Sequence, residues 1–157
     1  IEDEIDVYEK LIDTQLELID ETEELRKKRE DLAEKSKSVT DIEKSREFYL
    51  SLGFEIKYER PEDKFIFFEF QGSQIMIQEI NEVWSLGKLE YPFGRGINFC
   101  FDTTNIDEMY NKLKVKGMEL YLDLEVHEYR VDDEVSVEKE FIILDPDGYM
   151  LRFSESL

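Results

Sequence analysis

The spacing of apolar residues changes character along the chain. Over residues 1–34, Ile5, Tyr8, Leu11, Ile12, Leu18, Ile19, Leu25 and Leu32 recur at helical spacing, and Leu11, Leu18, Leu25 and Leu32 fall seven apart. That pattern predicts a long N-terminal helix with a coiled-coil-like stripe. Acidic first turns and the basic run Arg26, Lys27, Lys28, Arg29 complement its dipole. The stripe suits packing on its own domain and a dimer contact equally well.

From Asp41 the pattern becomes βαβββ, twice. The first unit, about residues 35–80, reads as a helix Ile42–Leu52, capped by Asp41 and stopped by Gly53, then strands near Phe54–Arg60, Lys64–Phe70 and Gln74–Ile80. The second, about residues 95–155, reads as a strand Ile97–Asp102, a helix Ile106–Lys116 stopped by Gly117, and strands near Met118–Arg130, Val137–Leu144 and Met150–Ser154. Asp145-Pro146-Asp147-Gly148 joins the last two strands by a tight turn. The first strand of the first unit falls on Glu34-Lys35-Ser36-Lys37-Ser38-Val39, which offers almost nothing apolar to bury and is expected to be weak or absent. Replacement by the N-terminal helix, exchange with a second subunit and an edge strand all stay open.

Charge narrows the partners. The 157 residues carry 40 acidic and 20 basic side chains, a formal charge of −20, which repels nucleic acid and anionic membrane surfaces and suits cationic ligands. Acidity of this kind also serves solubility alone. Cys100, the one cysteine, has no partner for an internal disulfide, and no apolar run reaches the length of a membrane span or signal; a cytoplasmic protein is expected.

Three stretches, Glu140–Phe153 (EFIILDPDGYMLRF), Phe48–Phe54 (FYLSLGF) and Pro92–Phe99 (PFGRGINF), resemble the vicinal-oxygen-chelate superfamily, and within it the glyoxalase/bleomycin-resistance proteins, over roughly Val39 to Phe153. The resemblance implies an α+β fold, two βαβββ units forming a curved mixed sheet around a concave cleft, here preceded by the helix of residues 1–34 as a separate extension to the domain of residues 35–157. It also places the four metal-ligand positions of the superfamily's enzymes near Glu34, Gly96, Gln78 and Arg152. Glycine has no ligand atom, and Arg152 puts a permanent cation where a metal would sit. No metal, cofactor or catalytic residue is therefore expected.

Other catalytic signals are thin. His127 is the sole histidine and reads as structural; Cys100 reads as a small strand residue; Gly94-Arg95-Gly96 lacks the lysine of a phosphate loop. What the resemblance implies instead is binding: bleomycin-resistance-type proteins are homodimers that sequester a bulky cationic aromatic glycopeptide in their clefts. Flat apolar surfaces and carboxylates suit such a ligand. Trp84, in the loop between the repeats, leads the candidates, with Tyr58, Phe67, Phe93, Tyr121 and Tyr129 on or beside strands and Glu69 among the nearby acids. Each strand aromatic fits the core as readily as a ligand. Asn98 and Arg152 share the face that lines the cleft in the family. Two other classes stay open: a glyoxalase-like or dioxygenase-like metalloenzyme with an altered metal site, and an interaction module built on the N-terminal helix.

Overall fold

The computed structural model describes residues 36–81, 83–84 and 87–157, of which Lys37–Leu157 form one compact unit. The elements run β1 (Ser36–Val39), α1 (Ile42–Ser51), β2 (Glu55–Arg60), β3 (Phe65–Phe70), β4 (Ser73–Glu79), β5 (Asn98–Asp102), α2 (Ile106–Val115), β6 (Leu122–Val131), β7 (Glu134–Leu144) and β8 (Met150–Ser156). The strands form two four-stranded sheets, ordered β1-β4-β3-β2 and β5-β8-β7-β6. This corrects the expectation of an α+β fold with one curved mixed sheet: the described residues are mostly sheet, in two separate ladders, with two ten-residue helices, the first of them at Ile42–Ser51. The physical reason is local. In each unit the crossover helix returns the chain so that the first strand lies beside the fourth, and the ladder is completed inside the unit. The helix expected over residues 1–34 lies outside the described residues.

Both helices start and stop by capping. Asp41 Oδ1 accepts the Lys44 N–H at 3.0 Å, and the Ile106 N–H at the start of α2 donates to Glu155 Oε2 at 2.9 Å. Gly53 follows α1 in the left-handed region, at φ 98°. A single core joins the two sheets: Phe54, Phe68 and Phe70 from the first unit pack with Phe101, Phe141 and Phe153 from the second, Phe101 and Phe153 stacking at 5.4 Å. Strand alternation sends Ile66, Phe68 and Phe70 into that core and turns Phe65, Phe67 and Glu69 to the opposite face.

The strand expected to be weak is formed, and as an edge strand. Val39 is wholly buried, and Lys37 is only 5% exposed. Its ammonium pairs with Asp145, donates to the Tyr49 hydroxyl and lies over the Tyr49 and Tyr149 rings at 4.6 and 4.5 Å. Burial pulls the lysine below its ordinary range, with Asp145 working the other way. Thr40 N–H donates to Asp147 Oδ2 at 3.1 Å, and the Tyr149 hydroxyl to Ser38 O at 3.1 Å. Charge pairing with a turn more than a hundred residues away thus replaces the missing apolar stripe.

That turn is rigid. Asp145 Oδ1 accepts the N–H groups of Asp147 and Tyr149 at 3.0 and 2.9 Å, and Gly148 N–H closes on Asp145 O at 2.9 Å. Gly148 has φ 87°, and a Cβ there would stand 2.6 Å from Pro92 Cβ, so only glycine fits.

Candidate functional site

The turn sets the register of β7 against β8, and the register builds the site. Ile142 faces Arg152, Glu140 faces Ser154, and Glu138 faces Ser156; β5 adds Cys100 beside Arg152 and Asp102 beside Ser154, while β6 adds Glu125 opposite Glu140 and His127 opposite Glu138. The opposite parity, Phe141, Ile143, Leu151 and Phe153, fills the core. A polar face therefore backs an apolar one on the same four strands.

Glu140 is its centre, 3% exposed. Its Oε1 accepts the Tyr129 hydroxyl at 2.9 Å, with Arg152 Nη1 at 3.6 Å and His127 Nε2 at 3.9 Å. Arg152 is thereby neutralised by a carboxylate of its own face. Glu138 is held differently: the hydroxyls of Ser136, Ser154 and Ser156 donate to its two oxygens at 2.7, 2.8 and 2.7 Å. Those three bonds hold its carboxyl below the ordinary range, so it is anionic at neutral pH, and among the described residues no cation pairs with it. His127 Nε2 also stands 3.4 Å from Glu125 Oε2.

The Cys100 thiol is pushed up by partial burial and then by Asp102, with Arg152 opposing, and stays a thiol at neutral pH rather than a nucleophile. Of the positions the resemblance implies for a metal, Gly96 has no side chain, Arg152 has no lone pair to give, and Gln78, whose Nε2 donates to Asp63 O at 3.1 Å, has only its neutral Oε1 to offer; Glu34 lies outside the described residues. No cluster of three or more His, Cys, Asp or Glu able to hold a metal occurs among the described residues. Among the described residues, Gly96, Gln78 and Arg152 together offer one neutral amide oxygen, too few donors to hold a divalent ion.

The structure draws together part of the residues singled out in the sequence. Tyr129 and Arg152 meet on Glu140, and exposed Asn98 lies on the same face beside Met150. Tyr58 and Phe67 form a second group on the first sheet, their rings stacked at 5.0 Å, with Glu69 paired to Lys57 at 3.3 Å. Trp84 is 71% exposed in the inter-repeat loop, its N–H donating to Asn81 Oδ1 at 3.0 Å, and Tyr121 is 63% exposed ahead of β6. Phe93 is buried edge-on against Tyr149 at 5.9 Å. Glu140 and Glu138 are not among the residues the sequence picks out, and His127, which the sequence reads as structural, stands on the same face opposite Glu138. The turn register and strand parity were the signal that pointed to them. A cleft of about 520 Å³ lies elsewhere, between α1 and β3, but its Arg46 and Lys64 are already paired with its Glu59 and Glu79.

Residues 36–153 match the Glyoxalase/Bleomycin resistance protein/Dioxygenase superfamily. The chain belongs to that superfamily. A member from Vibrio splendidus 12B01 is 31% identical over 78% of this chain and 95% of its own, with a TM-score of 0.37. A glyoxalase/bleomycin resistance protein/dioxygenase from Alicyclobacillus acidocaldarius is 22% identical over 78% of this chain and 88% of its own, with a TM-score of 0.55. TioX from Micromonospora sp. ML1 is 13% identical over 78% of this chain and 95% of its own, with a TM-score of 0.60. No curated protein matches the chain in sequence. No described helix is long and apolar enough to cross a membrane.

Proposed function

We propose that the protein binds a small organic cation with an aromatic body on the polar face of its second sheet and sequesters it without a metal-dependent reaction, in the manner of bleomycin-resistance proteins. The observation that carries this reading is the division of labour between two carboxylates. Glu140 answers Arg152, while Glu138, kept ionised by three serine hydroxyls, has no cationic partner among the described residues. A ligand ammonium or other cation is its natural complement. Tyr129 at the rim and exposed Trp84 supply flat surfaces for an aromatic body. The face is open, so a second copy of the chain closing it as a homodimer belongs to the same reading, as does a cytoplasmic setting in which Cys100 stays reduced.

Calorimetric titration of metal-stripped protein with a bleomycin-type glycopeptide tests it. Binding at one ligand per subunit, weakened by about 1.5–3 kcal/mol in Glu138→Gln, supports the reading. Heat that appears only when a divalent metal is restored would contradict it.

A further inference from the structure

The site's unpaired donors set a second requirement on its occupant. Resting on the binding site proposed above, we infer that its ligand carries a hydrogen-bond acceptor beside its cation, an amino-acid- or peptide-type molecule that brings a carboxylate or carbonyl oxygen to Arg152 as well as an ammonium to Glu138.

Two nitrogens on this face, Arg152 Nε and His127 Nε2, are buried and make no hydrogen bond. Buried donors are almost always partnered, because water is no longer there to serve them. Arg152 has N–H groups on three nitrogens, and the Glu140 contact at 3.6 Å uses only Nη1. Its side chain is 30% exposed, although Nε itself is buried. His127 Nε2 stands 3.4 and 3.9 Å from the Glu125 and Glu140 carboxylates.

The donors and the free carboxylate follow one another along the strands. Arg152, Ser154 and Ser156 are successive residues of this face on β8, opposite Ile142, Glu140 and Glu138 on β7. Arg152 reaches back to the Glu140 row, one step of about 7 Å from Glu138. A ligand whose ammonium and acceptor stand a few ångström apart bridges that step. An amine alone leaves Arg152 Nε without an acceptor, and an acid alone is repelled by Glu138 and Glu140.

A matched series isolates the requirement: tryptophan, tryptophan amide, tryptamine and indole-3-propionate, titrated into the full chain and followed by NMR shifts of the amides around Glu138, Glu140 and Arg152. Tryptophan and its amide are expected to bind about tenfold more tightly than tryptamine, with indole-3-propionate weakest. Arg152→Gln should erase the preference of the acceptor-bearing compounds over tryptamine. Arg152→Lys keeps the charge opposite Glu140 but lacks Nε, and should erase it too, which covers the case of a misfolded glutamine variant. Equal affinity for tryptophan and tryptamine, or a preference that survives Arg152→Lys, overturns the inference and leaves the binding site standing. Shifts from none of the four compounds overturn both.

Discussion

Arg152 Nη1 lies 3.6 Å from Glu140 Oε1 across the β7–β8 ladder, and Glu140 is 3% exposed. The pair places a buried carboxylate and a half-buried guanidinium at the middle of the polar face. Removing the acid strands the cation. Glu140→Ala is expected to cost about 2–4 kcal/mol in urea unfolding, whereas Tyr129→Phe, which deletes one hydroxyl donor, should cost about 1 kcal/mol. Equal costs for the two would show that the pairing with Arg152 contributes nothing.

The buried pair of Lys37 and Asp145 predicts coupling across the chain. Lys37→Met leaves Asp145 uncompensated and should cost about 3–5 kcal/mol. Asp145→Asn keeps an oxygen for the Asp147 and Tyr149 N–H groups. The double variant Lys37→Met, Asp145→Asn should therefore be more stable than the sum of the single changes predicts, by about 1–3 kcal/mol in a double-mutant cycle. Simple additivity would refute the latch.

Alkaline pH should loosen the same region. Burial, then Asp145 and Asp147, pushes the Tyr149 hydroxyl up to about 12, while the unfolded chain ionises near its ordinary 10. A folded value above the unfolded one gives stability that is complete below pH 10 and lost as pH rises towards 12. Tyr49 is raised as well and adds in the same direction. The expected loss is about 1–2 kcal/mol for Tyr149, read as a falling urea midpoint that Tyr149→Phe flattens.

Gly148→Ala tests the turn. The left-handed φ and the close approach to Pro92 should together cost about 2–4 kcal/mol. Gly72→Ala, also at positive φ but with nothing within 4 Å, should cost only about 1 kcal/mol.

Much of this was visible in the sequence because the signals were local. The turn at Asp145–Gly148, the Asp41 cap, the Gly53 and Gly117 stops and the alternating strands each depend on residues a few positions apart, and β2 to β8 fall close to where the pattern puts them. The strand at Ser36–Val39 was undervalued because its stabilising partner, Asp145, is distant in sequence. Two sheets in place of one followed from pairings between β1 and β4 and between β5 and β8, which hydrophobic period does not encode. Within the site, Arg152 and Tyr129 were singled out, but Glu140 was one of many acids, and composition gave it no distinction. Only the register that faces it with Ser154 separates it from the rest.

Trp84 is 71% exposed, and its removal should leave the unfolding midpoint unchanged. If its ring covers the ligand, Trp84→Ala weakens glycopeptide binding by about 1–2 kcal/mol, seen by calorimetry; unchanged affinity takes Trp84 out of the site.

The central claim is that ligand binds on the face of Glu138, Glu140, Tyr129 and Arg152. Amide shift mapping of the full chain, titrated with a bleomycin-type glycopeptide in the absence of divalent metal, tests it most directly. The largest shifts are expected along β6, β7 and β8 at His127, Tyr129, Glu138, Glu140 and Arg152, and in Glu138→Gln the same shifts should need about ten- to a hundredfold more ligand. Shifts confined to the cleft at Arg46, Glu59 and Lys64, or none at all, would contradict it.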